Sequence, residues 1–241
     1  MKLLRNMAAA IVLAAVALTL VLLLYAMVRD RPQDLPWTRL DLNQPIGLFT
    51  GRKLAALTDD FPGCRKVLDK AGVRYTALAP LSEQNGQCGY EDAVRFRAGG
   101  PRQIGLVPSD LGMACPVAAA LTVWEWEVVQ PAAQRHFGQK VAEIEHFGSY
   151  NCRRMYNREG ASWSEHATAD AVDIAAFRLS DGTRITLVGD WEGKGSKARF
   201  LRDVRDGACG VFSTVLSPDY NAAHRDHFHL DQAERMWRAC R

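Results

Sequence analysis

Residues 171–188 read AVDIAAFRLSDGTRITLV, and this stretch decides the fold class. Two apolar runs, residues 171–179 and 184–188, flank the turn Ser180-Asp181-Gly182-Thr183. An Asp-Gly pair between two such runs is a strong signal for a β-hairpin. The stretch therefore predicts two antiparallel strands, and it places an acidic residue, Asp173, inside the first of them.

The segments around this hairpin alternate between short strands and helices. Further strands are predicted at residues 141–146, 211–216 and 228–230, and helices at residues 116–128, 131–138 and 197–206. Proline in the first turn opens the first two of these helices, and Gly138 ends the second. Helices followed by hairpin-linked strands predict an α+β fold, with a mainly antiparallel sheet and flanking helices.

Residues 8–28 form an apolar run of 21 residues in which only Thr19 falls outside the hydrophobic set. As a helix rising about 1.5 Å per residue, this run spans roughly the 30 Å core of a bilayer. It is longer than the apolar core of a typical signal peptide, which is about 7 to 15 residues. We therefore predict one N-terminal transmembrane helix, an uncleaved anchor at residues 1–28, with a cleaved signal peptide as the alternative.

The rest of the chain divides into three parts. Residues 29–50 contain three prolines and scattered charges with little periodicity, which predicts an extended spacer. Residues 51–107 mix short helical patterns with a strand at residues 73–78, and we predict a small cap subdomain there. Residues 108–241 form the predicted main domain.

The composition excludes several classes of protein. The 241-residue chain is 48% hydrophobic, yet the mean hydropathy of the whole chain, -0.16, is typical of a soluble protein. The part of the chain outside the apolar run is therefore predicted to be soluble. Charged residues make up 24% and the ten prolines form no repeat, which excludes a disordered polyelectrolyte, a multi-span membrane protein and a proline-rich rod. A net charge of +3 is too small to indicate a nucleic-acid partner.

All six cysteines follow the apolar run: Cys64, Cys88, Cys115, Cys152, Cys209 and Cys240. Their even number, with no CxxC pair, indicates an oxidising compartment and up to three disulfides. Fifteen pairings are possible, and order along the chain favours Cys64 with Cys88, Cys115 with Cys152 and Cys209 with Cys240. The alternative is six reduced, buried thiols.

Histidine is scarce, yet three of the six histidines fall within six positions, at His224, His227 and His229. In a strand, His227 and His229 face the same side because side chains alternate. A second cluster holds His166 in a loop and Asp173 in an apolar strand, where a carboxylate is costly unless it is paired or binds a metal.

Two imidazoles and one carboxylate are the ligand set of many catalytic zinc sites, which keep a fourth position open for water. Zinc in such a site activates water and polarises a carbonyl, and a neighbouring neutral imidazole can take a proton. The alternative is a closed structural site in which His224 or His227 supplies a fourth ligand.

Two motifs resemble a known family. Ser164-x-His166-x6-Asp173 followed by His224-x2-His227-x-His229 is similar to the signature of the zinc peptidases that include D-alanyl-D-alanine peptidases, penicillin-insensitive murein endopeptidases and phage endolysins. More narrowly, four stretches resemble bacterial proteins with the domain called extensin-like C-terminal: CPVAAA from Cys115, GSYNCR from Gly148, SEHATA from Ser164 and PDYNAAHRDHFHLD from Pro218. The resemblance covers the chain from about Cys64 onward.

The resemblance implies that His166, Asp173 and His229 bind zinc. It implies that His227 stands where other members carry a glutamate or histidine as the base, and that His224 matches the extra histidine of the murein endopeptidases.

It further implies that Arg153 holds the substrate carbonyl and that Ser164 contacts substrate, with Arg154 as a competitor for the arginine role. Asp231 is a candidate for orienting a ligand histidine. The sequence departs from many murein peptidases at Ala169, where they have glycine.

We therefore expect a zinc-dependent hydrolase that cleaves an amide bond in peptidoglycan peptides, next to D-alanine. Its expected place is the inner membrane, held by a single span, with the domain in the periplasm. Peptidoglycan and the inner membrane are the expected partners, no nucleic acid is expected, and the oligomeric state is left open. The alternatives are a non-catalytic wall-binding or scaffold module with a structural zinc, and a disulfide-stapled, metal-free domain.

Overall fold

The computed structural model describes residues 2–102, 104–235 and 237–241. Within them the α-helices are α1 (Lys2–Asp30), α2 (Thr50–Ala55), α3 (Phe61–Lys70), α4 (Cys115–Trp124), α5 (Gln130–Phe137), α6 (Leu187–Asp190) and α7 (Ser196–Ala208). The strands are β1 (Tyr75–Ala77), β2 (Leu81–Glu83), β3 (Cys88–Tyr90), β4 (Ala93–Phe96), β5 (Gly105–Val107), β6 (Gly112–Ala114), β7 (Val141–Gly148), β8 (Ala171–Leu179), β9 (Arg184–Thr186), β10 (Thr214–Leu216), β11 (Phe228–Asp231) and β12 (Ala239–Cys240).

The largest sheet has the strand order β12-β10-β11-β8-β7-β5, and β9 also pairs with β8. Its neighbours are antiparallel except for β5 with β7 and β10 with β12. Two smaller antiparallel sheets have the orders β1-β4-β6 and β2-β3. The predicted α+β fold, with a mainly antiparallel sheet and flanking helices, is confirmed.

The predicted hairpin forms from β8 and β9, with Ala176 opposite Thr186. The second strand ends at Thr186 rather than at residue 188, because the Thr186 hydroxyl accepts a hydrogen bond from the Gly189 backbone N–H at 3.1 Å and caps α6. The first half of β8 pairs instead with β11, which sets Asp173 directly opposite His229. The central strand of the sheet thus carries a predicted site residue.

Residues 115–137 form one continuous helical segment rather than the two separate helices we predicted. Glu125–Val129 is a π-helical turn between α4 and α5, in which the Gln130 N–H donates to the Glu125 carbonyl five residues earlier. Pro131 has no backbone N–H to donate, and a wider turn accommodates that loss without ending the helix.

The core lies between this helical segment, α7 and the large sheet. Trp124 is fully buried, its ring contacts Phe177 and Phe212, and its Nε1–H donates to the Val204 carbonyl at 2.8 Å. Phe200 joins the cluster from α7, the predicted amphipathic helix. One indole therefore ties two helices to the sheet.

We expect Trp124→Ala to lower the free energy of unfolding by about 3–5 kcal/mol, because it leaves a large cavity and an unpaired carbonyl at Val204. Urea denaturation followed by circular dichroism measures the change. Trp237→Ala is the matched control, since Trp237 is 78% exposed, and we expect it to change stability by less than about 0.5 kcal/mol. Equal effects of the two changes would contradict this account of the core.

Residues 29–50 differ from the predicted extended spacer. The first two residues of this segment end α1, Pro32–Asp34 forms a single 3-10 turn, and Leu42 is buried in the main core. Lys53 Nζ donates to the Pro32 carbonyl at 3.2 Å. The prolines shape turns here, and the buried leucine fixes the segment on the domain.

The predicted boundary between residues 107 and 108 is crossed by strand pairing. β5 lies before the boundary and pairs with β7 of the large sheet, whereas β6 lies after it and pairs with β4 of the small sheet. The cap and the main domain are therefore interleaved at this point.

The six cysteines form three disulfides: Cys64–Cys115, Cys88–Cys152 and Cys209–Cys240. Only the last of the three pairings favoured by chain order is confirmed. The other two are wrong because α3 packs on α4, which brings Cys64 to Cys115, and because β3 packs beside the loop that holds Cys152. Both of these disulfides join the predicted cap to the main domain.

The helix α1 is exposed along its whole length and is long and apolar enough to cross a membrane. It includes residues 2–28 of the predicted anchor, and Met1 lies outside the described residues. An apolar helix without buried residues agrees with a single-pass anchor, and the three disulfides indicate that the domain lies outside the cytoplasm.

Candidate metal centre

The structure brings together the three predicted ligands from three separate elements. His166 lies in a 3-10 turn (Glu165–Thr168), Asp173 in β8 and His229 in β11. His166 Nε2 is 3.2 Å from Asp173 Oδ2 and 3.1 Å from His229 Nδ1, and His229 Nδ1 is 3.1 Å from Asp173 Oδ1. One ligand atom from each residue lies within 4.8 Å of the other two, as a metal site requires.

The outward-facing nitrogen of each histidine has its own acceptor. His166 Nδ1 is 2.6 Å from the Ser149 carbonyl, and His229 Nε2 is 3.1 Å from Asp231 Oδ2. Each acceptor requires an N–H on the nitrogen that it faces, so the other nitrogen of each neutral ring presents a lone pair to the centre. Carbonyl and carboxylate partners of this kind are typical behind metal-binding histidines.

The electrostatics of Asp173 and His229 are compatible with a cation at the centre. Against the effect of burial, hydrogen bonds from His166 and His229 hold the pKa of Asp173 well below its usual range. Burial lowers the pKa of His229, but hydrogen bonds to Asp173 and Asp231 outweigh it and raise the pKa to about 9. Two lone pairs and a carboxylate meet at one point, where either a proton or a metal ion balances them, and zinc suits these donors.

His227 and His224 stand beside this centre. His227 Nε2 is 3.6 Å from Asp173 Oδ1, and its Nδ1 is 2.9 Å from Asp226 Oδ1. The His224 ring lies 5.2 Å from that of His227. Burial, together with the positive charges of His227 and His229, lowers the pKa of His224 to about 4, so this ring is neutral at pH 7.

Arg153 and Ser164 line the same cleft, a cavity of about 150 Å³ that also contains all four of these histidines and Asp173. The Ser164 hydroxyl accepts a hydrogen bond from the His166 backbone N–H at 3.4 Å. Ser164 thus caps the start of the 3-10 turn that carries His166, a candidate metal ligand. Arg154 points elsewhere: it donates to the Ala161 carbonyl and lies over the Trp163 ring. The structure therefore favours Arg153 over Arg154 for contact with a ligand in the cleft.

Two residues of the site escaped the sequence analysis. Ser149 contributes a backbone carbonyl, which no residue type signals. Arg235 pairs with Glu165 at 3.3 Å and with Asp231 at 3.7 Å, and its position four residues after Asp231 was the only available clue. Ser149 holds the candidate ligand His166 directly. Arg235 pairs with Asp231, which in turn holds the candidate ligand His229.

Ala169 ends the turn that carries His166 and has a φ of 58°. Its carbonyl accepts hydrogen bonds from the Ala114 N–H at 2.9 Å and the Ser149 hydroxyl at 3.0 Å. A left-handed backbone favours glycine. Alanine at this position keeps the backbone shape at the cost of local strain.

We expect Asp231→Asn to weaken zinc binding about 10- to 100-fold, because it removes the charge that makes His229 a better donor to the metal. Asp231 is 1% exposed and is also bonded to the Ala233 N–H, so asparagine keeps its place. Competition with a chromophoric chelator measures the affinity. Asp226→Asn, which touches His227 and none of the three ligands, is the control, and equal affinities of the two variants would contradict this role.

The fold and the cleft together define an α+β domain with a candidate metal centre at the middle of its large sheet. The family described as "Extensin-like protein C-terminus" matches residues 62–241. The chain therefore belongs to the extensin-like C-terminal family, as its four motifs predict. Comparisons with curated proteins and with solved structures give no match.

Proposed function

We propose that this protein is a zinc-dependent hydrolase that cleaves an amide bond in peptidoglycan stem peptides or cross-links, next to D-alanine. One observation carries the proposal: one ring nitrogen of His166 and one of His229 meet at the Asp173 carboxylate, while Ser149 and Asp231 hold the outer ring nitrogens. Two imidazoles and a carboxylate are the protein ligands of many catalytic zinc sites. The substrate class comes from the resemblance of the motifs to those of zinc peptidases that act on peptidoglycan.

The roles of the cleft residues follow from their positions. Zinc, when bound by His166, Asp173 and His229, increases the acidity of water and polarises a carbonyl group. His227, beside Asp173 and oriented by Asp226, accepts the proton from the attacking water. His224 is neutral at pH 7 and exchanges protons with His227, and Arg153 donates to the carbonyl oxygen as it gains negative charge.

The proposed location combines the helix with the cysteines. A single apolar span at α1 supports a location in the inner membrane, and three disulfides support the oxidising periplasm rather than the cytoplasm. Peptidoglycan lies in that compartment, so the membrane and the wall are the proposed partners.

A non-catalytic wall-binding module is the second candidate. His227 Nε2 is only 3.6 Å from Asp173 Oδ1, which is close enough for a small turn of the ring to supply a fourth ligand. Four protein ligands around zinc are typical of a structural site.

The test uses the full chain in detergent, stripped of metal by a chelator and then reloaded with zinc. Each form is incubated with purified sacculi, and the released peptides are identified by mass spectrometry. We expect new peptides from the zinc form alone, and their ends name the bond that is cut. Stoichiometric zinc and binding to sacculi without any new peptide would favour the structural module.

A further inference from the structure

A second cavity, which we call the acidic cavity, lies next to the metal cleft. Its volume is about 720 Å³, and Glu165 lines both cavities. Six carboxylates line the acidic cavity: Asp59, Glu91, Asp92, Glu165, Asp170 and Glu234. Among the described residues of its lining there is no lysine or arginine.

Asp170 is the residue that marks this cavity as a site. Its side chain is buried, with 6% of the residue exposed, and its Oδ1 has no hydrogen-bond partner among the described residues. A buried carboxylate without a partner costs free energy, because water no longer stabilises its charge. A ligand that donates a hydrogen bond or carries a positive charge would remove this cost.

The neighbouring carboxylates also favour a positively charged ligand. Burial and the charges of Asp231, Glu165 and Asp92 raise the pKa of Asp170 well above its usual value. Burial and the charges of Asp59 and Glu91 outweigh backbone hydrogen bonds and raise the pKa of Asp92. Glu165 already pairs with Arg235 at 3.3 Å, whereas a cation in the cavity would reduce the repulsion among the other carboxylates.

The spread of these carboxylates favours an organic cation over a metal ion. In the part of the chain that the structure describes, the metal centre is the one group in which three ligand atoms lie within 4.8 Å of one another. A cavity of several hundred Å³ suits a small-molecule group. The apolar side chains of Phe61, Leu81 and Ala114 line it as well, and they suit an alkyl chain.

The acidic cavity is also joined to the metal cleft by a disulfide and by side-chain hydrogen bonds. Cys88 in its wall is bonded to Cys152, the neighbour of Arg153. Tyr150 donates to Glu83 at 3.0 Å, and Trp163 donates to Gln87 at 3.0 Å, so the β2–β3 hairpin is fixed on the loops that form the metal cleft. A ligand in the acidic cavity is therefore held at a fixed position relative to the metal centre.

We propose that the acidic cavity binds a primary ammonium group at the end of an alkyl chain, with Asp170 as its main partner. If the proposed hydrolase function holds, this group belongs to the substrate, and its capture sets which amide bond reaches the metal centre. The binding itself does not depend on hydrolysis.

The test compares two probes, Nα-acetyl-lysine methylamide and Nα-acetyl-norleucine methylamide. They share the same end groups and the same alkyl side chain, and only the first carries the ammonium group. Binding to the full chain in detergent is measured by titration calorimetry. We expect the lysine probe to bind at least about tenfold more tightly, as a charge-assisted hydrogen bond provides. Asp170→Asn should remove this preference, whereas Asp206→Asn on α7, outside the cavity, should retain it.

Equal binding of the two probes to the wild type, or a preference that survives Asp170→Asn, would overturn the proposal. Calcium binding that Asp170→Asn abolishes would overturn it as well, in favour of a metal site. Circular dichroism checks folding, and Asp92→Asn, which should weaken the preference, decides the question if Asp170→Asn fails to fold. His229→Ala separates the two proposals, because it should lose metal-dependent hydrolysis and keep the preference for the lysine probe.

Discussion

Replacing His229 with alanine is expected to abolish stoichiometric zinc binding and to reduce peptidoglycan hydrolysis to background. His229 contributes one of the three lone-pair donors, lies 3.1 Å from both His166 and Asp173, and is itself held by Asp231. Without it two protein ligands remain, fewer than the three of a typical catalytic zinc site. Metal analysis by mass spectrometry and the release of peptides from sacculi measure the two effects.

The matched control is His136→Ala. His136 Nε2 is 2.8 Å from Asp203 on α7 and lies outside the metal cleft, so this variant should keep both zinc and activity. Zinc should raise the melting temperature of the wild type and of His136→Ala, because a ligand of the folded state stabilises it. An unchanged metal content in folded His229→Ala would refute the ligand assignment.

Replacing His227 with alanine is expected to lower the hydrolysis rate about 10²- to 10⁴-fold while zinc stays bound, which is the range for loss of a general base. The loss should appear in kcat rather than in KM, because His227 acts on the proton of water and not on substrate affinity. Its ring faces Asp173 and is held by Asp226, so Asp226→Asn should cause a smaller loss in the same direction.

The His227 variant also decides between the two proposed functions. Loss of zinc from His227→Ala, in parallel with loss of zinc from His229→Ala, would identify His227 as a fourth ligand and favour the structural module. Retained zinc with a full hydrolysis rate would remove His227 from the reaction and leave His224 as the candidate base.

The meeting of His166, Asp173 and His229 was expected from local sequence signals together with the resemblance of two motifs to zinc peptidases. Asp173 lies in an apolar strand that precedes an Asp-Gly turn, and His227 and His229 are two residues apart, a spacing that puts side chains on the same face of a strand. In the structure only His229 lies within the strand, because β11 begins at Phe228. The sequence could not predict which strands of the sheet pair with each other. β11 lies beside the first half of β8, and only that register sets His229 opposite Asp173.

Two of the three disulfide pairings and the acidic cavity depend on long-range packing, and the sequence analysis did not find them. Cys64 reaches Cys115 because α3 lies against α4, a contact between elements some 50 residues apart. The cavity collects Asp59, Asp92 and Asp170 from three different segments. Asp59 and Asp92 have polar neighbours in the sequence and resemble ordinary surface positions, whereas Asp170 stands between two alanines. Only the fold brings the three together.

The folded segment after α1 limits how far the site can travel. The last helical residue is Asp30, and Leu35 is already buried in the domain. The five residues that link the end of α1 to this buried leucine span at most about 18 Å. The domain can therefore move only a short distance relative to α1. If α1 is fixed in the bilayer, the domain stays close to the membrane, and under the proposed function we expect it to meet only those peptides that come within a few nanometres of the membrane surface.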